Sequence, residues 1–207
     1  MSLGMNKESL RPIPGAAGFS LLELLIAMSI TLAVMVAAST LLATSLRIRT
    51  RENTRSDALA AAQRALNILS REIGNSGYGL ADNGIIAADS NATSIRVRAN
   101  LDNDTNLNDP DEDVRYVFQG SPNNVIVRFD NFVAAPGNLV VLANNITSLT
   151  FKYYDVNGSE TTNYPSAERI RVDVSVDLPA GPEQPASVVH LQSDVALRNA
   201  TNTLMEF

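Results

Sequence analysis

Between Asn100 and Asn108 an oxygen-bearing side chain falls at every second position, Asn100, Asp102, Asp104, Asn106 and Asn108, and the acids Asp109, Asp111, Glu112 and Asp113 close the stretch. A calcium ion takes roughly six to eight oxygen ligands at about 2.3–2.6 Å, and short Asp and Asn side chains on a turning loop deliver them in this rhythm. The expected ligands are Asp102, Asp104 and Asn106, with Asn108 acting through its backbone or a water and Asp111 or Glu112 completing the sphere. A second candidate is a lone carboxylate. Glu23 stands at the head of a run, Leu24 to Leu46, that contains no charged side chain. An ionised carboxylate in such surroundings costs several kcal/mol unless it finds a partner, and residues placed at that cost are usually functional. The third is His190, the single histidine, which sits in an alternating segment where a solvated or hydrogen-bonded role is expected.

The acidic string resembles an EF-hand ligand loop without its flanking helices, with Thr105 or Leu107 where the glycine of the sharp turn is expected. A solvated loop between two strands draws on the same residues, since Asp, Asn and Pro are also turn formers. The density of like charge favours a counterion. So does the absence of cysteine, which leaves loops to be held by packing, hydrogen bonds or a metal. The chain contains no Gly-x-Ser-x-Gly, no Gly-x-x-x-x-Gly-Lys-Ser/Thr and no His-Glu-x-x-His pattern, so an enzyme is not expected. With 16 basic and 22 acidic residues, a net charge of -6 and a pI near 4.8, the chain lacks the basic footprint that nucleic acid requires.

These residues need elements to hold them. The chain has 207 residues, 45% of them apolar and 18% charged, which suffices for one folded domain and something extra. As a helix at about 1.5 Å per residue, the charge-free run Leu24 to Leu46 covers the roughly 30 Å of a bilayer core. Lys7 and Arg11 precede it and Arg47, Arg49 and Arg51 follow, so basic flanks alone do not orient it. A cleaved secretory signal has a shorter apolar segment and no glutamate in it. Beyond the run, Leu59, Ala62, Leu66, Leu69 and Ile73 recur at a spacing of three and four, with Arg64, Asn67 and Arg71 off that stripe. This predicts an amphipathic continuation that ends at the glycines Gly74, Gly77 and Gly79, a helix of about 55 residues in all.

After Gly79 the period becomes two. Ile95–Ala99, Leu149–Tyr153 and Ile170–Leu178 alternate, and Val114–Phe118, Val125–Phe129 and Val188–Leu197 are further strand candidates. Asn157-Gly158 marks a turn, and Pro179, Gly181, Pro182 and Pro185 mark a loop. The fold class is α+β: a long N-terminal helix packed on an antiparallel sheet. The expected organisation is a leader over 1–18, a membrane-spanning segment over 19–46, its amphipathic continuation over 47–74 and a β-rich domain over 75–207.

The segment Gly18-Phe19-Ser20-Leu21-Leu22-Glu23-Leu24-Leu25-Ile26-Ala27-Met28 resembles the N-terminal cleavage and methylation motif of type IV prepilins and type II secretion pseudopilins. The resemblance implies cleavage between Gly18 and Phe19 by a membrane aspartyl prepilin peptidase and N-methylation of Phe19. It also implies a role for Glu23 in assembly, through neutralising the terminal amine of a neighbouring subunit. The partners implied are other pilin or pseudopilin subunits, the peptidase and the inner membrane, followed by a filament in the periplasm or at the cell surface. A looser likeness, carried by Phe151-Lys152-Tyr153-Tyr154-Asp155 and Leu191 to Asn199, is to PilW-type minor pilins and J-type minor pseudopilins. It implies a minor subunit of a type IV pilus that initiates or caps the filament, with a type II secretion pseudopilin as the alternative. A membrane-anchored receptor or enzyme is the reading from a different class. Major pilins often carry a helix-breaking proline in the apolar segment, and none occurs between Phe19 and Gly74.

Overall fold

The computed structural model describes residues 18–104, 106–178, 180 and 185–200. Residues 1–17 of the expected leader, with Lys7 and Arg11, lie outside the described residues, as do Pro179, Gly181 and Pro182 of the expected loop. The chain divides into two compact units, one ending at Arg47 and one beginning at Ile48.

One helix, α1, runs without interruption over Leu21–Gly74 (54 residues). No proline breaks its hydrogen-bond ladder, and the sequence stops it at Gly74, after which Gly77 (φ 76°) and Gly79 (φ 69°) turn the chain through left-handed backbone. Up to Arg47 every described side chain is exposed. A helix that is apolar on all sides cannot be a solvated surface helix, and this one is long and apolar enough to cross a membrane. From Arg55 onward the helix is one-sided. Ala58, Ala62, Ala65, Leu66, Leu69 and Ile73 are buried, whereas Arg64, Asn67 and Arg71 are exposed. Three of these six buried residues are alanines, Ala58, Ala62 and Ala65.

Seven strands follow in two antiparallel sheets. The first contains β1 (Ser94–Arg98), β2 (Asp113–Gln119), β3 (Val125–Asp130) and β4 (Leu139–Ala143), in that order. The second contains β5 (Ile146–Tyr154), β6 (Arg169–Leu178) and β7 (Ser187–Ala196). Alternation of burial along β1, β5 and most of β6 matches one inward and one outward face. Ile95, Tyr116, Ile126, Leu149, Phe151, Ile170, Val172 and Val174 join the buried stripe of α1 in one core. Asn157-Gly158 forms the expected turn, with Gly158 at φ 74° and its N–H donating to the Asp155 carbonyl at 2.9 Å.

Leu69 is fully buried between α1 and the sheets. Leu69→Ala is expected to destabilise the folded unit by about 2–5 kcal/mol, since it removes buried methyls and leaves a cavity. Leu32→Ala, in the exposed apolar half, should leave the unfolding midpoint unchanged. Thermal unfolding of the two full-length variants in detergent checks the contrast.

Candidate functional site

The first site residues lie where α1 begins. Ser20 precedes the first helical residue, and its Oγ accepts from the Leu22 N–H at 3.3 Å. The Glu23 carboxylate reaches back to accept from the Ser20 N–H at 3.1 Å. Together they form a reciprocal capping box, which satisfies two backbone donors that a helix start leaves open. Glu23 also puts negative charge in the first turn, where the helix dipole favours it. Among the described residues nothing lies within 4 Å of the position a Cβ would take at Gly18, so they set no steric demand there. Phe19 is exposed.

The acidic string forms the connection between β1 and β2. Its stem is closed by the Ala99 N–H donating to the Glu112 carbonyl at 3.0 Å, and the Asn100 N–H donating to the Tyr78 carbonyl at 2.7 Å. Gly79 is required beside it: an added Cβ would stand 2.9 Å from Asn100 Cβ, and its φ is 69°. Within the loop the Asp104, Asn106 and Asn108 N–H groups donate to the side chains of Asp102, Asp104 and Asn106 at 3.2, 2.6 and 3.1 Å. These successive side-chain turns coil the string on itself. They bring carboxylate oxygens of Asp102, Asp104 and Asp109 within 4.8 Å of one another. Asn106 Nδ2 donates to Asp109 at 2.9 Å.

Of the six residues expected as ligands, then, Asp102 and Asp104 come together, and Asp109 stands with them where Asp111 or Glu112 was expected. Asp111 is engaged elsewhere, 2.6 Å from Arg128, and its own φ of 71° turns the chain toward β2. Glu112 lies on the buried side of the loop, where one oxygen accepts from the Leu101 N–H at 2.5 Å and, more weakly, from Asp102 at 3.4 Å. Asn108 is exposed. Thr105 lies outside the described residues.

Asp113, the last acid of the string, opens β2 and holds the whole connection in place. Its fully buried carboxylate receives Arg96 at 2.7 Å through both Nε and a terminal nitrogen, Arg98 at 2.6 Å and Asn131 at 2.6 Å. Arg96 and Arg98 are two apart on β1 and so share a face, and Arg98 is the register partner of Asp113. Burial pushes the Asp113 carboxyl up, but the hydrogen bonds from Arg96, Arg98 and Asn131 outweigh it and hold it below the ordinary carboxylate range. The bond to Asp113 raises Arg96 in turn, and Asp89 adds to it at 2.6 Å. On the other side of the stem Arg128 joins Asp111 to Glu72 of α1 at 3.0 Å, and the buried Tyr116 hydroxyl donates to the same glutamate. His190 is exposed, with Nδ1 2.9 Å from Ser175 Oγ.

Sequence reasoning passed over the capping box, although Ser20-x-x-Glu23 is its signature. It also left Asp109 out of the ligand set and did not foresee the Asp113 clamp, because neither signal is local. Residues 14–39 match the family model described as the prokaryotic N-terminal methylation motif, which is the signal of type IV prepilins and pseudopilins. No curated protein matches the chain.

Asp113→Asn should lower stability by roughly 3 kcal/mol, since it leaves two arginines facing a neutral amide. The pH dependence has a defined sign. A carboxylate whose folded pKa lies below its ordinary value, near 3.8, contributes fully above that value and loses the contribution as pH falls through the folded pKa. Unfolding midpoints measured from neutral pH to well below 3.8 should therefore run parallel above that value and, below it, fall more gently in Asp113→Asn than in the parent chain.

Proposed function

We propose that this chain, which carries the type IV prepilin and pseudopilin signal, is a minor pilin: a structural subunit that helps initiate or cap a type IV pilus. The observation that supports this reading most is the match over residues 14–39 together with a helix from Leu21 whose first half presents apolar side chains on every side, with Glu23 the single charged side chain between Phe19 and Leu46. The motif implies processing by prepilin peptidase and assembly with other pilin subunits, and the helix is suited to hold the subunit in the membrane beforehand.

In this reading the peptidase hydrolyses the Gly18–Phe19 amide. Water supplies the hydroxyl that stays on Gly18, and Phe19 becomes the new terminal amine, which is then methylated. Glu23 lies one helical turn beyond that amine, and it balances the cationic amine of a neighbouring subunit when both leave water. The proline-free, unbroken α1 and the chain length of 207 residues support a minor over a small major subunit. Function would then rest on packing faces, with no catalytic step of the chain's own.

Co-expression with a prepilin peptidase should yield a mature chain starting at methylated Phe19, read by intact mass. Because none of the described residues crowds Gly18, a block to cleavage in Gly18→Val would report the peptidase's demand and not misfolding. A mature start near Ser39 would point to an ordinary signal peptide and sink the reading.

Glu23→Gln separates the two jobs of that side chain, since the amide oxygen can still cap Ser20 while the charge is gone. Both Glu23→Gln and Glu23→Ala should insert in the membrane and be poorly incorporated, as judged by immunogold labelling of sheared filaments. Normal incorporation of Glu23→Gln alone would assign the residue to capping. For the parent chain, sparse labelling is expected, with fewer surface filaments on deletion of the gene. Dense labelling along the shaft would indicate a major pilin, and intact filaments with lost protein secretion would indicate a pseudopilin.

A further inference from the structure

The loop between β1 and β2 combines exposed carboxylates that lack a counterion with buried oxygens that lack a donor. Among the described residues no lysine or arginine forms an ion pair with Asp102, Asp104, Asp109 or Glu112, whereas Asp111 and Asp113 both have arginine partners. Beneath them, Glu112 is 2% exposed and Asn100 is 7% exposed. Each has one oxygen, Glu112 Oε2 and Asn100 Oδ1, that is buried and receives no hydrogen bond. Both side chains are aimed into the loop. The other oxygen of Glu112 is held by the Leu101 N–H, and the amide nitrogen of Asn100 donates to the Asp104 carbonyl at 2.6 Å. A buried acceptor without a donor costs about 1–3 kcal/mol, and more when it belongs to a charged group. Two such acceptors under one acidic loop call for a cation.

We propose that the Asn100–Glu112 loop binds one calcium ion, which the Asp102, Asp104 and Asp109 carboxylates, already within 4.8 Å of one another, hold from the solvent side; Glu112 Oε2 and Asn100 Oδ1, buried beneath, complete the sphere as the loop draws in on the ion. The donor set is all oxygen, short-armed and carried on a loop that can adjust, which suits calcium. Magnesium demands a near-ideal octahedron and gives up its water reluctantly. The stem supplies the rigidity: the Asp113 clamp fixes the residue after Glu112, and the Asp111–Arg128–Glu72 chain fixes the residue before it. The site is independent of the reading as a pilin, because it rests only on residues of the folded unit. Its expected affinity is that of extracellular modules, about 0.1–1 mM.

The test uses the full-length chain in detergent, stripped with chelator and then dialysed, with calcium chloride as the only probe and magnesium chloride as the control. Calorimetric titration should give one site per chain. With calcium about 100-fold above its dissociation constant the unfolding midpoint should rise by about 5 °C or more, and magnesium at the same concentration should do markedly less. Glu112→Gln should weaken binding at least about tenfold. The Asp102→Asn/Asp104→Asn double variant, altered only at exposed side chains and so expected to fold, should lose the response, while Asp57→Asn, on the surface of α1, should keep it. The proposal is overturned if the parent chain shows neither heat nor a midpoint shift at about 10 mM calcium. It is also overturned if the double variant responds like the parent, or if Asp57→Asn loses the response as well.

Discussion

Everything else in this chain is subordinate to one constraint: a single uninterrupted helix carries two different surfaces along its length, the first long and apolar enough to cross a membrane and the second apolar on one side. The backbone permits this because helical hydrogen bonds are internal to the segment, so the same ladder would serve in lipid and in water. The side chains cannot, and the change from apolar on every side to apolar on one side falls near the three arginines Arg47, Arg49 and Arg51. Beyond them the buried stripe of Ala58, Ala62, Ala65, Leu66, Leu69 and Ile73 is the floor on which both sheets are laid. A proline anywhere in this stretch would break the ladder, which is why its absence and the continuity of α1 are one fact seen twice.

Charge in the folded unit is distributed by the same economy. The arginines of β1 and β2 would repel one another, since Arg96 faces Arg115 across the register. Asp89 and Asp113 absorb that repulsion from two sides. Arg128 repeats the arrangement beside the helix, where it bridges Glu72 and Asp111. Both clusters sit at the ends of the β1–β2 connection. Among the described residues the acids in the middle of that connection have no such arginines, and this contrast between Asp102 and Asp113 separates structural carboxylates from candidate ligands.

Much of this was legible beforehand, and the exceptions have a common cause. The helix with its stop, the α+β class and six of the strands follow from local periodicity, which α1, β1 and β6 display plainly. β4 escaped because Leu139-Val140-Val141-Leu142 is a short apolar run with no alternation, and it is an edge strand whose first three residues are exposed. The division into two sheets escaped because alternation says which face is buried and not which strand is the neighbour. The acidic loop was legible as a string of oxygens. Which carboxylates turn inward depended on Arg96, Arg98 and Arg128, residues on other strands, so Asp109 and Asp111 could not be told apart by spacing.

The order of the strands carries a last consequence. In both sheets each strand hydrogen-bonds the one next to it in the sequence, 1-2-3-4 and then 5-6-7, with no strand inserted from a distance. Such a meander pairs segments that are neighbours along the chain, and because closure entropy grows only slowly with loop length even the longer β1–β2 and β5–β6 connections need not wait for a distant segment. A chain delivered from its N-terminus would present α1 first and then strands that zip one after another. The apolar stripe of the helix is then covered progressively, and the time during which an unpaired strand edge could meet another copy is short.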